Sequence, residues 1–531
     1  MTQTRDPILE KIKKRRTSAI IAHPDAGKTT LTEKMLLYGG AIHKAGSIKS
    51  RKADRHATSD WMDMEQERGI SITSSVMQFQ YNDIFINLLD TPGHADFSAD
   101  TYRTLVGADS AVIVIDGTSG IEQQTENLFS FSKKHEIPFV MFINKMDRFG
   151  KEPLELVDEI EEAFDVQMVP FTWPIGKGKN FQGVYDRMRE QVILYDDTGE
   201  HGQEKLETTE FELDDPKLDD RIGADLHETI QEEVELLNMA GAEFDEELFH
   251  SGALVPMFFG SAQTNYGVEP FLRHFVEIIP SPEVRTDVDP TQDEFTGYIF
   301  KIQANMDPNH RDRIAFLRVG SGVFERGMEA EITRNHESIK LAQPRQFMAD
   351  DRDVIDTAYP GDVIGLYDSG EFHIGDTISE GSDIEYNRVP RFSPEHFARV
   401  KLDDAFKRKH LQQGLDELSE EGAVQVFKPW RQGEGDTIVG VIGELQFDVL
   451  EYRLEEEYNV DVRLERLPYK LARWIEGDDI DYKTLDRGSY RMLLEDKDGW
   501  PLLLFKSDIT LNREKQEHPE IEFHDTAPLH R

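Results

Sequence analysis

The chain has no cysteine among its 531 residues. Disulfides, thiolate nucleophiles and cysteine-ligated zinc are therefore excluded, and the composition suits a compartment that keeps thiols reduced. Long hydrophobic runs are missing as well. No stretch approaches the roughly 20 apolar residues that span a bilayer, and the start, Met1-Thr2-Gln3-Thr4-Arg5-Asp6, has no apolar secretory segment. We expect a soluble, cytoplasmic, monomeric protein with no membrane partner. Basic charge is scarce: 60 Lys and Arg against 103 Asp and Glu leave a net charge of −43. Such a field repels nucleic acid at long range. Any RNA contact must come from local patches such as Lys11–Arg16, His310–Arg313 or Lys407–His410, acting within a screening length of roughly 8 Å. Taken singly, each patch reads better as a solvated face or tail. Hydrophobic residues make up only 38%, yet the length calls for three or four domains, each with its own core.

What is present begins with Ala22-His23-Pro24-Asp25-Ala26-Gly27-Lys28-Thr29. It has the spacing of a phosphate-binding loop, with Ala22 where the first glycine usually stands. The apolar run Ser18–Ile21 precedes it as a buried strand, and Thr30–Leu37 follows as a helix. A strand, a tight loop and a helix aim backbone N–H groups and the positive helix end at one point, which suits a polyphosphate. Gly27 allows close backbone approach, Lys28 supplies a mobile positive charge, and the Thr29 hydroxyl suits Mg²⁺. Asp25 is unusual beside phosphates. It recruits a monovalent cation, is neutralised by a partner, or stabilises the turn.

Further motifs each close a predicted strand. Ile84–Leu89 leads to Asp90-Thr91-Pro92-Gly93-His94. Phe139–Ile143 leads to Asn144-Lys145-Met146-Asp147, and Val255–Phe259 leads to Gly260-Ser261-Ala262. Ala111–Ile115 is another strand, followed by a helix near Gln123–His135. Ligands in open α/β sheets bind beyond the carboxyl ends of the strands. Asp90 can hold Mg²⁺ through water, and Gly93 can offer its N–H to a γ-phosphate. A carboxylate at Asp147 accepts two N–H donors from guanine, which adenine does not present, so GTP and GDP are the expected ligands. Asn144 buttresses the loops, the Lys145 stem stacks on the base, and the Ala262 N–H, beside Ser261, is a donor for guanine O6. His94 is the candidate to position the attacking water; its alternative is a histidine that caps a turn. No arginine stands out as a finger, although Arg68 is near.

The expected fold is multidomain. An α/β P-loop GTPase domain covers 1–282, with 40–70 as a long loop and a subdomain inserted at about 155–250 into the stretch between Asp147 and Ser261. The prolines of Ile279-Pro280-Ser281-Pro282 mark a linker. Short β-rich runs then give a β-barrel domain over 293–387. The order βαββαβ from His396 to Glu465 gives a C-terminal α+β ferredoxin-like domain over 395–531. Residues 470–531 carry a possible helix and short strands with no evident place.

The stretches AHPDAGKTTL, ERGISI, DTPGHADF, NKMD and GSA resemble the translational GTPase family, most specifically over 18–150 but along the whole chain. Within that family the chain looks most like the bacterial release factors. The stretches that carry this are Arg68–Phe79, Phe171–Gly176, Phe300–Pro308 and Leu418–Phe427. Elongation factor G is also similar, but continues with two further domains that we do not expect here. The resemblance implies a GTPase stimulated by the ribosome, through its RNA and proteins, that drives class I release factors off after peptide release. It places the catalytic role on His94, oriented by ribosomal RNA. It also places a Mg²⁺-binding hydroxyl at Ser71, where the family usually has threonine, with Thr73 as the alternate. Two other functions stay open at this point: an elongation or translocation factor, and a non-catalytic GTP-gated binding module off the ribosome, for which the −43 charge argues.

Overall fold

The computed structural model describes residues 5–42, 64–65, 71–196, 204–282, 288–304, 313–342, 344–348, 351–381, 384–386, 389–430, 436–477, 480–485 and 490–527. Most of the loop expected over 40–70, including Arg68, lies outside them, as do His310, Arg311 and Asp312.

An apolar run without alternation asks for burial on both faces. The strand Arg15–Ala22 obtains it between Ile84–Asp90 and Ser110–Asp116, parallel to both. The seven-stranded sheet runs Ser75–Tyr81, Ile84–Asp90, Arg15–Ala22, Ser110–Asp116, Phe139–Asn144, Leu254–Phe259, Gln167–Pro170. Its first two strands form an antiparallel hairpin, and the remaining pairings are parallel. Successive side chains serve opposite layers. Ile21, Ile113, Met141 and Met257 enter one core; Ile20, Val112, Val140 and Phe258 enter the other. After Asn144 the helix Pro153–Phe164 and the strand Gln167–Pro170 stay with this sheet. A separate antiparallel sheet follows, of Thr172–Ile175, Gly183–Asp186, Gln191–Tyr195 and Thr208–Glu212, and then the helix Ala224–Ala240.

The second part is an antiparallel eight-stranded sheet built between Thr296 and Ser379, closed over Phe295, Ile299, Leu317, Phe324, Ile364 and Ile378. Its docking onto the first part is polar and buried. Arg318 Nη2 donates to both carboxylate oxygens of Asp109 at 2.7 and 2.6 Å. Arg15 Nε donates to Asp362 at 2.8 Å. The Gly361 carbonyl accepts from Thr17 Oγ1, Asn87 Nδ2 and Arg318 Nη1. Burial pushes the Asp362 carboxyl upward, and the Arg15 charge pulls against it. We read the pair as ionised, because two 2.8 Å contacts from Arg15 Nε and a donation from the Tyr359 N–H leave no room for a proton on that carboxyl.

The third part shows the expected strand order. Val462–Leu467, His396–Leu402, Ile438–Val441 and Gln425–Pro429 form the ferredoxin-like sheet, with the helices Arg408–Glu420 and Leu445–Tyr458 against it. The unplaced C-terminal segment extends that sheet through Arg491–Glu495, Pro501–Phe505, Leu471–Glu476 and Glu522–His524. Arg491 and Glu514 form a buried ion pair beneath it.

One buried charge gives a pH test. Lys34 sits in the helix Lys28–Tyr38 at 4% exposure. Burial lowers its ammonium pKa to about 8, against a smaller upward pull from Glu33. The unfolded chain, at the usual 10.5, binds the proton more tightly, so this group's penalty is full below about 8 and fades as pH climbs towards 10.5. Lys34→Met is expected to be more stable than the parent at pH 7 by about 1 kcal/mol or more. That advantage should shrink steadily between pH 8 and 10 in thermal unfolding of the two proteins side by side.

Candidate nucleotide site

The loop Ala22–Lys28 leaves the central strand and enters the helix at Gly27, which has φ +97°. A side chain there is excluded twice, by that backbone angle and because a Cβ would lie 2.2 Å from Asn144 Nδ2. Asn144 explains the closeness. Its Nδ2 donates to the Ala26 carbonyl at 2.8 Å, and its Oδ1 accepts from the Ala262 N–H at 2.8 Å. One side chain thus ties the phosphate loop, the Asn144–Asp147 turn and the Ser261–Ala262 turn together, as expected for a buttress. The same contact places the Ala262 N–H, the donor expected for guanine O6, on Asn144 and so orders the loop at this edge. Ser261 holds its own turn, donating through its N–H to Tyr266 O and accepting from the Thr264 N–H.

Lys145 spans the same edge. Its Nζ donates to Asp25 O at 2.5 Å and to Asp116 Oδ2 at 2.6 Å. Burial alone would raise the Asp116 carboxyl, but the hydrogen bonds from Lys145 and Thr118 outweigh it and hold the group below its usual value. Asp116 was not singled out from sequence, although it ends a strand on this same edge. With both ends of Lys145 fixed, its methylene stem is held in place. Met146 N donates to Gly260 O at 3.2 Å. Next to it Asp147 Oδ1 is buried and meets no hydrogen-bond donor. A buried, unsatisfied carboxylate oxygen in a loop so firmly held is costly unless a ligand supplies the donor.

On the phosphate side, Lys28 Nζ lies 2.5 Å from Asp90 Oδ1, which also accepts from Thr32 Oγ1 at 3.3 Å. Thr91 Oγ1 donates to Ile20 O at 2.9 Å, and Thr101 Oγ1 donates to Pro92 O at 3.0 Å, which fixes the turn before Gly93. Gly93 lies close to Ala22 and Pro24 of the phosphate loop. His23 Nε2 is 2.5 Å from Glu122, so a neighbouring loop braces the phosphate loop from outside. Thr29 is half-buried in the first helical turn. Ser71 is half-buried ahead of the strand Ser75–Tyr81. Thr73, its alternate, is tied by N and Oγ1 to the Glu65 carboxylate, at 3.1 and 3.5 Å. Hydroxyl and carboxylate oxygens are the hard donors that Mg²⁺ prefers.

His94 caps a short 3-10 turn, Ala95–Phe97, with Nδ1 accepting from the Asp96 N–H at 3.2 Å. The capping alternative and the catalytic one are compatible. An accepting Nδ1 puts the neutral ring's proton on Nε2, so the free edge of a 38% exposed imidazole is a donor.

Comparisons with known proteins decide the family. The elongation factor Tu GTP binding domain model matches residues 13–281, that of elongation factor G domain 2 matches 294–381, and that of the class II release factor RF3, C-terminal domain, matches 386–515. The peptide chain release factor 3 of Symbiobacterium thermophilum is 50% identical over 98% of this chain and 99% of its own length. The chain belongs to the peptide chain release factor 3 family. Its counterparts from Microcystis aeruginosa and Synechococcus elongatus are 49% and 48% identical, covering 99% and 100% of this chain and 97% and 96% of their own. A crystal structure from Thermus thermophilus, 21% identical, shares the fold with a TM-score of 0.70 over 88% of this chain and 71% of that one. As a member of the release factor 3 family, the protein is a GTPase that binds guanine nucleotide.

In this family member the C-terminal part touches the histidine turn directly. Asp96 Oδ2 accepts from the Leu445 N–H at 2.7 Å, at the start of the helix Leu445–Tyr458. Phe97 shares an apolar cluster with Met64, Ile72 and Val449. Beside it Lys301 of the barrel reaches Ser74 O at 2.6 Å and Asp100 at 3.4 Å. Nothing in the sequence pointed to the contacts that Asp96 and Asp100 make with the other two parts, because Leu445 and Lys301 lie 349 and 201 residues away. A Cβ on Gly443 would lie 2.2 Å from the Asp96 Cβ. Gly443→Ala is therefore expected to push the two parts apart, at the roughly 1–3 kcal/mol typical of overpacking. Amide hydrogen exchange at Leu445 should then be about ten-fold faster than in the parent.

Proposed function

We propose that this chain is a ribosome-stimulated GTPase that promotes dissociation of class I release factors from the ribosome after termination, working as a cytoplasmic monomer. The observation that carries the nucleotide reading is Asp147 Oδ1, buried and without a donor in a loop pinned by Asn144. Guanine's N1–H and exocyclic amino group supply the missing donors. The name borne by the near-full-length relatives supports the termination role.

In this reading residues 22–29 cradle the phosphates through backbone N–H groups, with Lys28 moving from Asp90 to the β- and γ-phosphates. Thr29, Ser71 and Asp90 would hold Mg²⁺, which supplies charge neutralisation at the phosphate oxygens. Gly93 offers its N–H to the γ-phosphate. His94, donating through Nε2, orients the in-line water. Its tethers are a hydrogen bond from the Asp96 N–H, a 3.5 Å approach to the Asp96 carboxylate and an edge contact to Phe97, few enough for a ribosomal contact to reorient the ring. Intrinsic turnover is accordingly slow. Among the described residues no helix is long and apolar enough to cross a membrane.

The test is GTP turnover by the pure protein with and without ribosomes. Stimulation by about 100-fold or more is expected, the lower end of what a correctly positioned acid–base side chain contributes. Turnover that ignores ribosomes would remove the proposal.

A further inference from the structure

Against a net charge of −43, one corner of the C-terminal part is basic and carries a bare aromatic ring. After the strand His396–Leu402 the chain passes through Asp403 and Asp404 into a short 3-10 turn, Ala405–Lys407, and then the helix Arg408–Glu420. Phe406 on that turn is 99% exposed, more than any other large apolar side chain among the described residues. Its backbone is fixed, because the Asp404 carboxylate accepts from the Phe406 N–H at 2.9 Å. The helix sends Leu411, Leu415 and Leu418 into the core, and Phe406 lies outside that stripe. The ring therefore contributes nothing to folding.

Arg408, Lys409 and His410 follow directly and are exposed. Among the described residues Arg408 and Lys409 have no carboxylate partner, while the nearby acids are engaged. Asp403 pairs with Arg463 at 3.0 Å, and Asp461 lies 3.8 Å from Lys407. The corner thus offers a flat apolar face beside two unpaired cations, held on a rigid turn. An apolar protein pocket would use the ring and leave the cations idle. An acidic protein would use the cations and leave the ring in water. An RNA strand uses both, with a base stacked on the ring and phosphates on the cations. The surrounding acidic surface repels RNA elsewhere, so the patch also orients the encounter.

We infer that this turn is an RNA-contact point, with Phe406 stacking on an unpaired base and Arg408 and Lys409 holding the adjacent phosphates. The inference rests on the ribosome-directed reading above and adds to it a place and a chemistry of contact. The test is co-sedimentation of the full-length protein with ribosomes in a non-hydrolysable GTP analogue, across a salt series. Phe406→Leu keeps the bulk but loses the π-face and should weaken binding about ten-fold, whereas Phe406→Trp should bind at least as well as the parent. Arg408→Gln with Lys409→Gln should weaken binding and lower the slope of log affinity against log salt by about 1 to 2. GTP binding should be unchanged in all of them. Parental binding by Phe406→Leu, or loss in Phe406→Trp alone, overturns the stacking contact and points to a protein pocket, with the ribosome reading intact. Failure of the parent itself to sediment overturns that reading and this inference together.

Discussion

Replacing Asp147 by asparagine is expected to weaken GTP binding by about 100- to 10,000-fold and to open the site to xanthosine triphosphate. The carboxylate offers two acceptors, and guanine presents two donors, N1–H and the amino group. Each charge-assisted bond contributes about 1.5–3 kcal/mol, so losing the pair gives the stated range. Asparagine keeps one acceptor and brings an NH₂ against guanine's own amino group. Xanthine carries a carbonyl at that position, so the same NH₂ becomes a partner. The frame should survive, because Asn144 and the Met146 N–H to Gly260 O contact hold the loop independently of residue 147. Calorimetry with both nucleotides measures the switch. Unchanged preference for GTP would mean that Asp147 does not read the base.

His94→Ala is expected to remove most of the ribosome-stimulated turnover, about 100- to 1,000-fold, while GTP affinity stays within about two-fold of the parent. The split follows from geometry. In the proposed reading His94 acts only through its Nε2 edge on the attacking water, and other loops would hold the nucleotide's base and phosphates. The turn Ala95–Phe97 loses its cap, at a cost of about 1 kcal/mol, too little to unfold the domain. Single-turnover hydrolysis on ribosomes at saturating GTP gives the rate, and filter binding gives the affinity. A parental rate in the variant would take His94 out of the reaction.

Much of this was legible in the sequence because it is local. The buried strands announce themselves as apolar runs, and their carboxyl ends carry the motifs, so Arg15–Ala22, Ile84–Asp90, Phe139–Asn144 and Leu254–Phe259 fell close to where they were expected. What escaped notice depends on distant partners. The edge strand Ser75–Tyr81 carries Gln78, a polar residue buried only because Asn87 and the barrel's Val363 carbonyl accept from it at 2.6 and 2.9 Å. Lys301 and Arg318 look like solvent-facing residues until the first domain supplies Ser74, Asp100 and Asp109. The C-terminal strands found their place only as additions to a sheet begun some sixty residues earlier, at Gln425–Pro429. The contact between the Ala262 N–H and Asn144 was hidden for the same kind of reason: sequence shows that a backbone donor exists, but not which side chain reaches it.

That a guanine nucleotide at this sheet edge drives class I release factors off the ribosome is tested most directly with the Asp147→Asn protein on ribosomes halted after peptide release. The measured quantity is the rate of release-factor dissociation. With xanthosine triphosphate as the only nucleotide, the variant should match the parent with GTP; with GTP alone, it should be no faster than ribosomes without the protein. Dissociation at one rate whatever nucleotide is present, or none with the parent and GTP, would contradict the account.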